Sequence, residues 1–293
     1  MIAQQIINAV SLGGVYALLA LGLAIVFSII GLINFAHGEL MTISGYSLLA
    51  ALLFGFPFPV AAVIAIGCGA MAAVLMERIA FRPMRGADVT SLLLTSFAVS
   101  SLLKVLFQIG VSARGQAVTM PQWMTGAFSL GDFTVGVGPT ISIAVSLLAL
   151  VALEIFLRRT NTGTAMRAAA EDFDVVRLMG ISAGRIIATA FLLSGILAGL
   201  AAMLWVAQRA SVDPLMGFTP VLKAFIAAVV GGLGSLPGAV AGGFLLGIIE
   251  VLLQATLPAA YAPYRDAIVL SGVIAVLLVR PQGLIPAVRG QRS

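Results

Sequence analysis

Long apolar runs separated by short polar breaks dominate the chain. A transmembrane helix needs about 20 mostly apolar residues, and runs of this kind fall near 5–30, 39–55, 58–78, 90–109, 139–158, 186–208, 219–233, 237–257 and 265–280. The runs lack the strict alternation of barrel strands, so we expect helices. The run 219–233 is short enough to be re-entrant. The pattern predicts an all-α polytopic membrane protein, one domain over 1–293, with about eight to nine transmembrane or re-entrant helices.

Composition supports a membrane protein. Of 293 residues, 61% are hydrophobic and only 9% are charged, whereas a soluble domain is about 25% charged. The N-terminus carries no basic region, so we expect the first apolar run to be a permanent span and not a cleaved signal.

The basic residues that make up the net charge of +5 are mostly arginines in three clusters. These clusters lie at 78–85, 158–185 and 280–292. Arginines placed between or after spans follow the positive-inside rule, so they indicate topology and no nucleic-acid surface. We expect a periplasmic N-terminus, a cytoplasmic C-terminus, a cytoplasmic loop at about 159–185, and an external loop at about 110–138 that forms a small hairpin on the membrane surface.

The two halves of the chain echo each other. The run 12–30, the break "NFAHG" and a short span resemble the run 186–208, the segment "FTPVLKAF" and a short glycine-rich span. The first block starts outside and the second inside. This is the pattern of an inverted-topology repeat with broken helices at matching positions.

Three polar residues interrupt the apolar background in "GLINFAHGELMTISGY". Asn34, His37 and Glu39 lie there, and His37 is the chain's single histidine. Ionisable groups at membrane depth are costly and usually face a cavity or partner. We expect a broken helix, with Glu39 at the N-terminus of the next half-helix and Asn34 as its cap. The three residues either satisfy broken backbone at a turn or line a translocation path.

The stretch "AAVVGGLGSLPGAVAGGFLLG" is rich in glycine. Pro237 occupies a position where a dinucleotide-binding motif would need glycine, so that interpretation is excluded. Glycines four residues apart allow close helix packing, and Pro237 marks a turn between two membrane segments. Packing is the simpler interpretation; Gly231, Gly232, Gly234 and Pro237 are also candidates for lining the path.

The cytoplasmic loop contains a predicted helix over Ala168–Met179. Acidic residues lie early in it and Arg177 lies late, as the helix dipole favours. Gly180 follows as a helix stop and Ile181 as an apolar tip. The segment is either a solvated surface helix or a docking helix that fits a groove on a soluble partner.

Catalytic motifs are absent from the sequence. There is no phosphate-binding P-loop, no H-E-x-x-H pair and no G-x-S-x-G elbow. The single cysteine, Cys68, has no thiol partner. We expect no catalytic residues and no metal site. A stand-alone secondary transporter or channel and an integral-membrane enzyme are the competing functional classes, and the second lacks any catalytic constellation.

Three segments together resemble the LivH-type permease of bacterial branched-chain amino acid ABC importers: "GLINFAHGELMTISGY", "RAAAEDFDVVRLMGISAGRI" and "AFIAAVVGGLGSLPGAVAGGFLLGIIE". The resemblance implies an inner-membrane permease that moves hydrophobic amino acids by alternating access. It implies a second, LivM-like permease, two cytoplasmic ATPases and a periplasmic amino-acid-binding protein as partners.

The same resemblance bears on the ATPases and on the substrate. It implies no cofactor on this chain, because the partner subunits use the ATP. The second segment looks like a degenerate ABC coupling motif, which places Ala168, Ala169, Ala170, Glu171 and Gly180 at the ATPase contact. Such permeases also take up urea, short amides or other amino acids, which stay open as alternative substrates.

Overall fold

The fold is a bundle of membrane-length helices with two small β-pairs. The computed structural model describes residues 2–130 and 133–285. Its helices are α1 (Ile2–Ile30), α2 (His37–Leu53), α3 (Phe58–Met76), α4 (Val89–Gly110), α5 (Gln122–Thr125), α6 (Val137–Arg159), α7 (Asn161–Glu171), α8 (Phe173–Leu178), α9 (Ala183–Arg209), α10 (Phe218–Gly231), α11 (Leu236–Thr256) and α12 (Arg265–Val279). A π-helical turn, Glu77–Phe81, extends α3, and a 3-10 helix, Ala259–Tyr264, precedes α12.

Every predicted span corresponds to a helix. Within the described residues, seven helices are long and apolar enough to cross a membrane. The two remaining apolar helices are shorter: α2 has 17 residues and α10 has 14. Both short helices follow the predicted breaks. The all-α polytopic class is therefore confirmed. Full crossing by α2, and either full crossing or re-entry by α10, stay predictions.

Glycines hold the central helices in close antiparallel contact. In the first contact, between α1 and α11, a Cβ on Gly243 or Gly247 would meet the backbone of Ala17 or Gly13. In the second, between α9 and α3, a Cβ on Gly195 would meet the backbone of Gly69 and Ala70, and one on Gly199 would lie 2.9 Å from the Ile66 Cα. Such backbone-to-backbone packing is how small residues join helices in lipid.

The packing is reciprocal between the two halves of the chain. Helix α1 packs on α11 as α9 packs on α3, and α2 packs on α9 as α10 packs on α1. Helices α1 and α9 run antiparallel, since Ser11 bonds Gln208 at 3.2 Å while Gly22 lies beside the Ser194 carbonyl. This is the arrangement that the predicted inverted repeat requires.

The predicted external loop contains the expected hairpin. Strands β2 (Ala127–Leu130) and β3 (Phe133–Gly136) pair antiparallel, with Ala127 opposite Gly136. A second pair joins β1 (Gln116–Ala117) to β4 (Ser211–Val212), which ties this loop to the end of α9. The hairpin is confirmed, and its position on the membrane surface stays a prediction.

The segment before α4 is fixed by an N-cap. The Asp88 carboxylate accepts hydrogen bonds from the Ser91 hydroxyl at 2.7 Å and the Ser91 N–H at 3.2 Å. These bonds stabilise the charged form and lower the pKa of the Asp88 carboxyl. The chain therefore re-enters a membrane helix at a defined residue directly after the first arginine cluster.

The prediction of one helix over Ala168–Met179 is wrong. The chain forms two helices, α7 and α8, and Asp172 lies between them in an extended conformation. The Asp172 carboxylate accepts from the Val175 N–H at 3.0 Å, so it caps the second helix. The predicted stop at Gly180 is confirmed, because its φ of +79° lies in the left-handed region.

Candidate functional site

The first predicted break places the start of α2 inside the bundle. Helix α1 ends at Ile30, and residues 31–36 are not helical. The His37 ring lies against Gly22, where a Cβ would be 2.7 Å from Cε1. Gly22 precedes the end of α1 by eight residues, or about 12 Å along the helix axis. The non-helical segment therefore turns back along α1 before α2 begins.

Asn34 and His37 stabilise this turn through buried hydrogen bonds. Asn34 is 1% exposed; its Oδ1 accepts from the Ala36 N–H at 3.0 Å and its Nδ2 lies 3.7 Å from Met76 Sδ. The N-cap of α2 is Ala36, so the prediction that Asn34 caps this helix is wrong. The side-chain oxygen of Asn34 instead closes the turn that precedes the helix. The fully buried His37 bonds Ser194 Oγ through Nδ1 at 3.0 Å. Its Nε2 has no hydrogen-bond partner among the described residues.

Glu39 lies in the first turn of α2, as predicted, and is 1% exposed. Its Oε1 accepts from the Ser100 hydroxyl at 3.0 Å and lies 3.7 Å from Lys104 Nζ. Its Oε2 bonds no group in the described part of the chain. The Lys104 ammonium also lies 4.0 Å from the centre of the Phe218 ring. Glu39 thus connects α2 to α4 and, through Lys104, to the start of α10.

The N-termini of the two short helices meet at this point. A Cβ on Gly38 would lie 2.6 Å from the Gly217 carbonyl oxygen, and the reverse contact is also closed by backbone. The N-caps, Ala36 for α2 and Gly217 for α10, make no side-chain capping hydrogen bond. The N–H groups at a helix start carry partial positive charge. Two uncapped helix starts therefore lie back to back beside Glu39 and Lys104.

A second buried ion cluster was not predicted from the sequence. The Glu250 carboxylate accepts from the Tyr16 hydroxyl at 2.8 Å and from Lys223 Nζ at 2.7 Å. Lys223 also pairs with Asp266 at 3.2 Å, and Arg265 lies 3.6 Å from Glu250. The cluster connects α1, α10, α11 and α12. Lys223 and Glu250 fall inside predicted spans, so the signal that identified Glu39 could have identified them.

The glycine-rich candidates lie at the other end of α10. Gly231 ends that helix, Gly232 and Gly234 have positive φ values of +119° and +85°, and Pro237 is the second residue of α11. The chain near the C-terminus closes this turn, because the Ile285 N–H donates to the Gly231 carbonyl at 2.9 Å. The 14 residues of α10 span about 20 Å. The structure therefore does not bring this group together with Asn34, His37 and Glu39.

The coupling candidates split into a packed part and an exposed part. Ala169 is 3% exposed, whereas Ala168, Ala170 and Glu171 are exposed. An apolar tip follows α8: Leu178 is 87% exposed and Met179 73%, with Ile181 beyond Gly180 at 36%. Helix α7 is anchored by Gly163, whose missing side chain lets it lie on the α6 backbone. A rigid base thus presents the apolar tip to solvent.

The described residues contain buried charged groups that are suited to binding. No group of three or more His, Cys, Asp or Glu side chains in the described ranges could hold a metal ion. The two ion clusters can bind charged groups or hold helices together.

Comparisons with known proteins point to one family. Residues 5–279 match the family described as "Branched-chain amino acid transport system / permease component". The chain is 36% identical over 298 residues to the high-affinity branched-chain amino acid transport system permease protein LivH of Escherichia coli K12, covering 96% of this chain and 94% of the relative. The LivM permease of the same organism is 27% identical, covering 99% of this chain and 72% of LivM. A metal-chelate-type ABC transporter in an inward-facing conformation superposes with a TM-score of 0.54 at 18% identity, covering 95% of this chain and 85% of that one.

Proposed function

The chain belongs to the family of branched-chain amino acid transport permease components, and from that premise we propose that it is the membrane-spanning permease subunit of an ABC importer for branched-chain amino acids. The observation that supports this most directly is the 36% identity to LivH along nearly the full length of both chains. The chain is a multi-pass membrane protein, which we assign to the bacterial inner membrane with the N-terminus periplasmic and the C-terminus cytoplasmic.

The geometry supports transport by alternating access. Broken helices whose N-termini meet inside a bundle, between two inverted repeats, are the usual setting of a transport path. We assign the path to the region of Asn34, His37 and Glu39, where α2 and α10 begin. Gly231, Gly232, Gly234 and Pro237 are assigned to the inner end of the same path, at the turn between α10 and α11.

The apolar tip after α8 is the contact that we assign to an ATPase subunit. The tip consists of exposed apolar residues on a helical base, as expected of a surface that a partner covers. Ala168, Ala169, Ala170 and Glu171 form the last turns of α7 behind it, while Gly180 and Ile181 follow it. ATP binding and hydrolysis belong to the partner subunits, so this chain performs no chemistry and needs no cofactor of its own.

The complete importer has further partners. The similarity to LivM supports a second, related permease that pairs with this one across the path. Of two cytoplasmic ATPases, one contacts the apolar tip of this chain and the other contacts the corresponding segment of the second permease. A periplasmic amino-acid-binding protein delivers the substrate. Urea, short amides or other amino acids are the alternative substrates, since the permease family alone does not define the solute.

Affinity purification of this chain from its native membranes tests the assembly. We expect two P-loop ATPases and a LivM-like permease to co-purify in mild detergent, identified by mass spectrometry. A known ABC importer, purified in the same detergent, serves as the control for complex integrity. If that control stays intact and this chain emerges alone, the importer assignment fails and a stand-alone channel or secondary transporter takes its place.

A further inference from the structure

Two of the buried ion pairs in the described membrane-spanning helices, Lys223–Glu250 and Lys104–Glu39, differ in how completely they are satisfied. Lys223 and Glu250 lie 2.7 Å apart, and the second Glu250 oxygen accepts from Tyr16. Glu39 and Lys104 lie 3.7 Å apart, beyond hydrogen-bond distance. Only one Glu39 oxygen has a partner, although the residue is 1% exposed.

An open oxygen on a buried carboxylate is costly unless something pairs with it. Burying a charge without full pairing is strongly unfavourable, and native proteins rarely leave such an atom without a partner. The Glu250 cluster shows that this fold can satisfy a buried carboxylate completely. The open Glu39 oxygen therefore indicates a position for a ligand that carries a hydrogen-bond donor, best of all a cation.

Lys104 offers the opposite charge beside it. Its side chain is 18% exposed, whereas that of Glu39 is 1% exposed. An ammonium has three hydrogen-bond donors. Among the described residues, the Lys104 ammonium forms the 3.7 Å ion pair with Glu39 and no shorter hydrogen bond. The centre of the Phe218 ring lies 4.0 Å from the Lys104 ammonium and stabilises it by a cation–π interaction.

The backbone adds a second attraction for an anion. The starts of α2 and α10 meet at Gly38 and Gly217, and both lack a capping side chain. The partial positive charge of a helix start favours a carboxylate, although the His37, Glu39 and Phe218 N–H groups already donate to backbone carbonyls. A region that holds an open carboxylate oxygen beside an ammonium, next to two helix starts, is complementary to a ligand whose own ammonium and carboxylate are bonded to one carbon atom.

We infer that Glu39 and Lys104 recognise the zwitterionic head group of a free α-amino acid, with the substrate ammonium at Glu39 Oε2 and its carboxylate at Lys104 and the start of α10. This inference rests on the proposed function and narrows its substrate class. Urea, neutral amides and sugars lack the paired charges and would leave both buried groups unsatisfied.

The competing interpretation is that the pair only fastens α4 to α2. The two interpretations differ in what a double neutral variant does. Removing one partner of a structural pair strands the other charge, whereas removing both relieves it. For a recognition pair, each neutral substitution removes one substrate contact, so the double variant stays defective.

Uptake of radiolabelled L-leucine by the reconstituted importer makes this distinction. The complex of this chain with its partner permease, ATPases and loaded binding protein is assembled in proteoliposomes. Variants Glu39→Gln, Lys104→Met and the double variant are compared with Glu250→Gln, which neutralises the satisfied pair. Uptake per assembled complex and binding-protein-stimulated ATP hydrolysis are both measured.

We expect Glu39→Gln and Lys104→Met each to lower uptake per complex at least about tenfold while stimulated ATP hydrolysis persists. The double variant should be at least as defective as either single variant. Glu250→Gln should lower the yield of assembled complex and leave uptake per complex within about twofold of the unaltered chain.

Three outcomes overturn the inference. Recovery of uptake in the double variant identifies a structural pair. Uptake by the single variants within about twofold of the unaltered complex removes any role for the pair, and an equal loss in Glu250→Gln shows a general need for buried ion pairs. If the unaltered complex assembles and hydrolyses ATP but accumulates no leucine, the proposed substrate is wrong. That outcome concerns the proposed function and does not depend on any variant.

Discussion

Single glycines decide whether the two helix starts can meet. Gly217 has an ordinary φ of −83°, so an alanine is conformationally acceptable there. Its Cβ, however, would meet the Gly38 carbonyl and lie 3.0 Å from Thr42 Oγ1. The obstacle is backbone, which cannot rotate away as a side chain can. Steric space, and not turn geometry, requires glycine at this position.

The substitution Gly217→Ala should therefore destabilise the protein, by about 1–3 kcal/mol or more, as for overpacked cores. Gly67→Ala is the matched control, because Gly67 lies within α3 and a Cβ there would meet nothing within 4 Å. Thermal unfolding of the purified protein in detergent measures both. A melting temperature for Gly217→Ala equal to that of Gly67→Ala would contradict the close contact of α2 and α10.

At the scale of residues, the sequence identified Glu39 of the Glu39–Lys104 pair but not Lys104. Glu39 was evident because it lies in a polar break beside His37. Lys104 lies alone in the middle of an apolar run, 65 positions away along the chain. Nothing in the local pattern connects the two residues, since the connection is made by the packing of α4 on α2.

At the scale of elements, the α7–α8 segment is a small helical unit that ends in apolar side chains which this chain leaves uncovered. Leu178 is 87% exposed and contributes little to the packing of this chain. Covering such a leucine in a partner's groove contributes about 1.5–3 kcal/mol, which corresponds to roughly one to two orders of magnitude in affinity. Covering Leu178 would therefore stabilise the contact with an ATPase in the proposed importer.

Leu178→Asp should uncouple the ATPases from transport. We expect leucine uptake to fall at least about tenfold, because a charge cannot be buried cheaply in an apolar groove. The melting temperature of the isolated chain should stay unchanged. Thr164→Asp, an exposed change on α7 in the same segment, serves as the control. Normal uptake by Leu178→Asp would show that this tip does not contact the ATPases.

The lengths of the short helices α2 and α10 reflect the path of the chain that leads into them. Each is shorter than the neighbouring spans because the chain before it turns back into the bundle. Their apolar runs were visible in the sequence, and so was the possibility of re-entry at 219–233. The meeting of their N-termini was not, because it depends on the antiparallel arrangement of α1 and α9.

At the scale of the whole molecule, topology is the property to test. Ala113 lies in the loop after α4, and Ser182 lies between α8 and α9; both are exposed. The chain has a single cysteine, Cys68, so Cys68→Ser gives a background without thiols. Single cysteines at these two positions therefore report the two sides of the membrane.

In spheroplasts, a membrane-impermeant thiol reagent should label Ala113→Cys, because that loop is periplasmic in the proposed topology. Ser182→Cys should be labelled only after permeabilisation, because it lies beside the second arginine cluster. Labelling is detected by a mass shift or gel shift. The reverse labelling pattern would invert the topology, and with it the assignment of the ATPase contact.

The sequence by itself determined the class of protein, the position of each membrane helix, the first break and the glycine stop at Gly180. These depend on hydrophobicity and backbone preference, which act over a few neighbouring residues. Tertiary structure alone decided the contact of Gly38 with Gly217, the pairing of Glu39 with Lys104 and the Glu250 cluster. These contacts join residues from distant spans, so they exist only after the helices pack. The division between α7 and α8 is local, because the Asp172 carboxylate caps α8 through the Val175 N–H, but hydrophobicity and helix preference did not reveal it.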